Sequence, residues 1–168
     1  IGDPGVGGLQ MAAYVKNAFI LYKGDKFSGR IGMIGTDAFS LSEKHWEHRY
    51  IMKTLQDENG FSSSADIGAA IEYVPSKFIS LDLSVLNGEG YKKLQSDSVF
   101  KYSAGVTLKP ADGLNLRVYA DFMKKDYLQN TLSFYAGYTH EKINVGIEFA
   151  MQANNKMSKN HDFSGLST

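Results

Sequence analysis

Apolar and polar residues alternate along most of this chain. The stretch Leu114 to Phe122 shows the pattern plainly. Read as a strand, it puts Leu114, Leu116, Val118, Ala120 and Phe122 on one face and Asn115, Arg117, Tyr119 and Asp121 on the other, because successive side chains point to opposite sides. About eight segments of roughly ten residues share this period of two, near 11–23, 26–36, 61–74, 78–87, 100–109, 114–123, 131–140 and 143–152. Their apolar faces carry residues such as Ile67, Ile71, Leu81, Leu83, Val106, Phe134, Ile147 and Phe149. Their opposite faces carry Asp66, Glu72, Asp82, Lys101, Arg117, Asp121 and Glu148 among many Ser and Gly.

The connections alternate in length. KGDKF, VPSKF, KPADGL and HEKI are tight turns, with Gly, Pro, Asp or Ser where hairpins favour them. Between them stand longer links: 37–60, GEGYKKLQSDSV, KKDYLQN and a tail from ANNKMSKNHD. Short turns on one rim and long loops on the other is the layout of a transmembrane barrel. The 37–60 link reads as a helical insert. Ser40 and Glu43 have capping-box spacing, Asn59-Gly60 offer a left-handed exit, and Trp46, Tyr50, Ile51 and Leu55 share a face suited to packing on a wall.

The small polar face decides which side is wet. A closed eight-stranded barrel is filled by its own side chains, and so much Gly and Ser pointing inward would leave it hollow unless water filled a wider ring. The expectation is therefore an all-β, antiparallel up-and-down transmembrane β-barrel. Residues 1–168 form one partial barrel domain, about eight strands of a larger ring. Aromatic residues beside the tight turns (Tyr22, Phe27, Tyr73, Phe78, Tyr138) suit a girdle at headgroup depth. HDFSGLST reads as the start of a further strand, and an edge in lipid requires strands from outside these residues. The opposite arrangement, a soluble β-sandwich that binds a ligand, puts the apolar face inward.

Composition narrows the chemistry. Lys plus Arg (18) equals Asp plus Glu (18), which argues against nucleic acid as a partner. The absence of Cys rules out disulfides and thiolate metal sites. No run approaches the roughly 20 apolar residues of a spanning helix. The N-terminal residues lack a basic segment followed by an apolar one, so no signal peptide is expected within them. GDPGVGG lacks the Lys and Ser/Thr of a phosphate cradle, and His45 and His48 lack a third metal ligand. Asp66, Asp82, Asp121 and Glu148, spread over four strands among Lys101 and Arg117, read as wall charges rather than catalytic pairs. Neither an enzyme nor a cofactor is expected.

The segment 33–73, with Glu43, Trp46, Arg49, Phe61, Ser64, Asp66 and Gly68, resembles Gram-negative outer-membrane porins of the phosphate-selective type, in particular their Bacteroidetes-like members. LNGEGYKKLQSD and VTLKPADGLNLRVYADF extend the likeness over nearly the whole chain. The resemblance implies a barrel of about sixteen to eighteen strands, usually a homotrimer, set among outer-membrane lipid or lipopolysaccharide and passing small hydrophilic solutes or anions passively. Its anion selectivity does not carry over. The inward cations Lys16, Arg30, Lys101, Lys109 and Arg117 are matched by Asp66, Glu72, Asp82, Asp121 and Glu148, which leaves little net field. Arg30, Asp66, Glu72, Asp82, Lys101, Arg117, Asp121 and Glu148 are thus expected to line a general diffusion channel. Lys44, His45, Glu47, Arg49 and Lys53 are expected to form its constriction or mouth. The alternative is an outer-membrane structural or adhesive barrel without transport.

Overall fold

Among the described residues nine strands follow one another through a single sheet in chain order, each antiparallel to the last. They are β1 (Ala18–Lys23), β2 (Phe27–Gly35), β3 (Ala65–Ser76), β4 (Ile79–Leu86), β5 (Lys101–Ala111), β6 (Leu114–Lys124), β7 (Leu128–His140), β8 (Ile143–Ala153) and β9 (Phe163–Ser167). The computed structural model describes residues 15–93 and 96–168. The glycine-rich GDPGVGG stretch and the beginning of the strand expected over 11–23 lie outside them. Among the described residues that first strand begins only at Ala18, and β1 and β9 are unpaired outer edges of an open sheet.

The four tight turns join β1–β2, β3–β4, β5–β6 and β7–β8 as their composition requires. Pro75 and Pro110 fall inside the two register breaks, between Tyr73 and Ser76 and between Leu108 and Ala111. A residue without an N–H is tolerated where the ladder is already interrupted. HDFSGLST supplies β9. One expectation fails: KKDYLQN is not a long loop. β7 begins at Leu128, so that only residues 125–127 remain between β6 and β7. Leu128, Gln129 and Asn130 pair with Lys124, Met123 and Phe122, and the gain of ladder hydrogen bonds overrides their polar, loop-like composition.

The sheet has no apolar centre. Along β6 and β8, Val118 and Ile147 are 44% and 45% exposed, while Arg117 and Glu148 are 8% and 5% exposed. The same inversion runs through β4, β5 and β7, where Asp82, Ser84, Lys101, Ser103, Thr131 and Ser133 are buried beside exposed Leu83, Val85, Tyr102, Val106 and Phe134. Among the described residues, buried apolar side chains form two small groups, Ile34 with Ala70 and Leu86, and Ala38 with Phe39 and Tyr119.

What covers the polar face is the segment between β2 and β3. It carries two short helices rather than one: α1 (Ser40–Trp46) and α2 (Leu55–Glu58). The expected capping box is absent. Phe39 is the N-cap with no side-chain cap, and Glu43 instead pairs with Arg49. α1 stops because Glu47 turns left-handed at φ 58°, and the Trp46 indole N–H then holds the returning chain at Met52 O, 2.8 Å away. This break also corrects the expected packing face. Tyr50 is 82% exposed and Ile51 points outward, while Phe39, Ser42, Gln56 and Phe61 are the residues that bury. Gly60 does adopt the expected left-handed exit, at φ 65°.

Candidate functional site

Register explains how the wall charges meet. Gly105 on β5 stands opposite Asp82 of β4 on one side and Tyr119 of β6 on the other. With no side chain at Gly105, Arg117 of β6 reaches across β5 to grip both oxygens of Asp82. Nη1 donates at 2.7 Å and Nη2 at 2.9 Å. Nη1 also donates to Thr107 Oγ1 at 2.8 Å, and Nη2 to Asp37 O at 3.0 Å. A Cβ at Gly105 would lie 2.6 Å from the Asp82 carboxylate and would collide with Arg117 Nη2. The fork of a guanidinium suits this two-oxygen grip better than an ammonium does.

A second pair lies toward the other end of the strands. Lys101 Nζ sits 3.6 Å from Asp121 Oδ2 and donates to Ser62 Oγ at 3.2 Å, while Tyr119 Oη donates to Asp121 at 3.0 Å. Arg30 is held by Asp37 at 2.8 Å. Burial pushes the Asp37 carboxyl above its usual range, outweighing the opposing pull of Arg30. Asp66 accepts from the backbone of Ile67 and Gly88, fixing the chain just after β4, and Glu72 has only a long contact from Ser28 Oγ at 3.4 Å. Apart from Glu72, the expected wall residues divide into paired charges and anchors of the connecting segments.

Glu148 is handled differently. Its carboxylate accepts from Gln56 Nε2 at 2.8 Å, from the Leu55 N–H at 3.1 Å and from Ser42 Oγ at 3.4 Å. Those donors come from α1 and α2, so a buried carboxylate on β8 fastens the insert to the sheet. Gln152 Nε2 repeats the device, donating to Phe61 O at 2.8 Å. Lower down, His45 Nε2 meets Val145 O at 3.0 Å and the Asn144 amide donates to His45 O at 2.8 Å. The insert thus runs along β6 to β9 as far as the β7–β8 turn and returns.

The abundant small residues acquire a reason here. A Cβ on Gly137 would meet the Tyr135 hydroxyl and His45, and one on Gly165 would come within 2.9 Å of Leu55. Over this half of the sheet the small polar face makes room for the chain's own insert, where water filling a wider ring was the expectation. The chain matches no family model, no curated protein and no solved structure.

Of the insert residues expected at a constriction, Arg49 lies between Glu43 and Asp57, bonded to the latter. Lys44, Glu47 and Lys53 are exposed. His45 is tied to β7 and β8, and His48 faces Trp46 O at 2.7 Å. Among the described residues no group of three metal-ligating side chains occurs. Beside the insert lies a cavity of about 430 Å³, bounded by α1, the 52–54 return and β7 to β9. Sequence reasoning missed Asp37, Ser42, Gln56 and Tyr135, since none belongs to a charge pattern on a strand. Gly137 and Gly146 opposite each other were the available sign that something bulky lies over them.

Proposed function

We propose that this chain forms wall of an outer-membrane β-barrel channel of the porin kind. It lets small hydrophilic solutes and ions diffuse across the outer membrane of a Gram-negative cell, and the 36–64 segment narrows its lumen. The observation that carries this reading is the inverted burial: large apolar side chains exposed along one face, and an ion-paired network buried along the other. Such a face is costly in water and favourable against hydrocarbon. The run from Leu114 to Phe122 is about 27 Å long at the usual rise, or about 21 Å of depth at a barrel strand's tilt, close to the apolar band of outer-membrane barrels. Lipid or lipopolysaccharide covers this face, and trimers of the ring are part of the proposal through the porin resemblance.

Because Arg117–Asp82, Lys101–Asp121 and Arg30–Asp37 are paired, these six charges add little net field and selectivity is weak. Lys53 remains exposed beside the cavity and contributes what anion preference there is. Arg49, already held by carboxylates, adds little. Reconstitution in planar bilayers tests this: stepwise conductance is expected, shifting toward cations in Lys53→Gln and scarcely changing in Arg49→Gln. A protein that inserts but passes no current rejects it. The non-transporting structural or adhesive barrel is favoured by one observation, the filling of the β6–β9 polar face by the insert, and the same recording separates the two.

A further inference from the structure

The insert is held on β7–β9 by hydrogen bonds and opposed there by polar groups that have none. Glu148 and Gln152 grip α2 and Phe61, while His45 and Asn144 tie α1 to the β7–β8 end. Against these stand Thr54 Oγ1 and Gln56 Oε1 on the insert and Tyr135 Oη on β7, the last packed over Gly137 and Gly146 beside the His45 ring. All three are buried without a hydrogen-bond partner in the protein, although buried polar atoms are nearly always satisfied. Each regains water if the insert lifts, so each works against docking. Apolar contact is concentrated at the two ends of the insert, where Phe39 and Phe61 are buried. Between them Leu41 and Leu55 are half-buried, and Trp46, Tyr50, Ile51 and Met52 are exposed.

We infer that residues 40–60 are a gate, which closes down the lumen when docked on β7–β9 and widens it by lifting off between the fixed ends Phe39 and Phe61. Lifting exchanges the docking hydrogen bonds for bonds to lumen water at a small net cost each, uncovers little apolar surface, and relieves three unpartnered atoms. Local opening of this kind belongs to segments with few buried apolar contacts. The gate deepens the channel reading and rests on it for the solute flow that is controlled, but not for the lifting itself.

The chain has no Cys, so one introduced thiol reports alone. Ser42 is 6% exposed on α1 and faces Glu148, and Ser42→Cys is expected to react with a maleimide only when the insert lifts. In detergent, with labelling kept slower than reclosing, its rate follows the lifted population. Adding Glu148→Gln, which gives up a charged acceptor, is expected to speed labelling about 10- to 100-fold; adding Tyr135→Phe, which removes an unpartnered hydroxyl, is expected to slow it about 5- to 100-fold. Ser84→Cys, buried on β4 outside the docking contacts, reports wider unfolding and is expected to keep its rate in both backgrounds. Rates of Ser42→Cys that neither variant moves, or that move in step with those of Ser84→Cys, overturn the gate. If Glu148→Gln does not fold, Tyr135→Phe decides alone, slower labelling supporting the gate and unchanged labelling rejecting it. In planar bilayers Glu148→Gln is expected to spend more time at a larger conductance, and recordings identical to the unmodified chain also overturn the gate. Labelling that responds in a protein without conductance sinks the channel alone, and conductance with unresponsive labelling sinks the gate alone.

Discussion

Placing one arginine at successive depths along β6 asks the protein which solvent its exposed face meets. Val118 lies midway along the Leu114–Phe122 run and is 44% exposed, so Val118→Arg creates no clash inside the sheet. With about 3.4 Å per residue and a tilt of about 40°, Leu114 and Phe122 lie about 10 Å of depth on either side of it. An arginine at the middle of a bilayer costs about 2–4 kcal/mol and one near its interfaces about 0–1 kcal/mol. Val118→Arg is therefore expected to lose about 2–4 kcal/mol, Leu114→Arg about 0–1 kcal/mol, and Ala120→Arg an intermediate amount. Guanidinium unfolding from phosphatidylcholine vesicles, followed by Trp46 emission, measures the three. On a face wetted by water, exposed substitutions change stability by less than about 0.5 kcal/mol wherever they sit. A flat profile at that level refutes the assignment of this face to lipid, and with it the channel.

Further outcomes follow from the polar network. Arg117→Met leaves the Asp82 carboxylate buried without its bidentate partner and is expected to cost about 3–5 kcal/mol by the same assay; adding Asp82→Leu is expected to restore much of that loss, and a single-variant loss below about 1 kcal/mol would mark a solvated pair. Gly105→Ala wedges that pair apart at an expected cost of about 1–3 kcal/mol, whereas Gly29→Ala, whose nearest neighbour is 4.0 Å away, is expected to be tolerated; equal effects would contradict the packing. Burial raises the Asp37 carboxyl, so the folded chain binds that proton more tightly than the unfolded one. Stability is accordingly lost as pH rises from about 4 through the raised value, and Asp37→Asn should flatten that fall in denaturation midpoints; identical slopes would rule out Asp37 as the source.

How much of this the sequence disclosed depends on how local the governing interaction is. The period of two found β3 to β8 because side-chain alternation belongs to each strand separately. DFSGLS disclosed β9 on the same ground. That opposite charges share the wall was also legible, but which ones pair was not. Arg117 reaches Asp82 across an intervening strand, and only the register places Gly105 between them. The insert was read least well. Its capping-box spacing was real, yet Glu43 is drawn to Arg49, and Trp46 finds Met52 O rather than a continuing helix. Helix propensity lost to these contacts, which join residues six apart and so fall outside the three- and four-residue spacings by which a helix is read from sequence. The cavity was illegible because its walls come from segments far apart in the chain, and Thr54 and Tyr135 border it together only because Glu148 and Gln152 dock the insert where they do.

The count of strands in the sheet sets a rule of parity. Staves that alternate up and down can close into a hoop with every neighbour opposed only when their total is even. Among the described residues, nine in a row leave the outermost two, Ala18–Lys23 and Phe163–Ser167, pointing the same way. If this sheet is wall, the hoop is completed either where two like-directed staves meet or by an odd number of staves from beyond the nine, and the one seated against Phe163–Ser167 in the second case runs opposite to it.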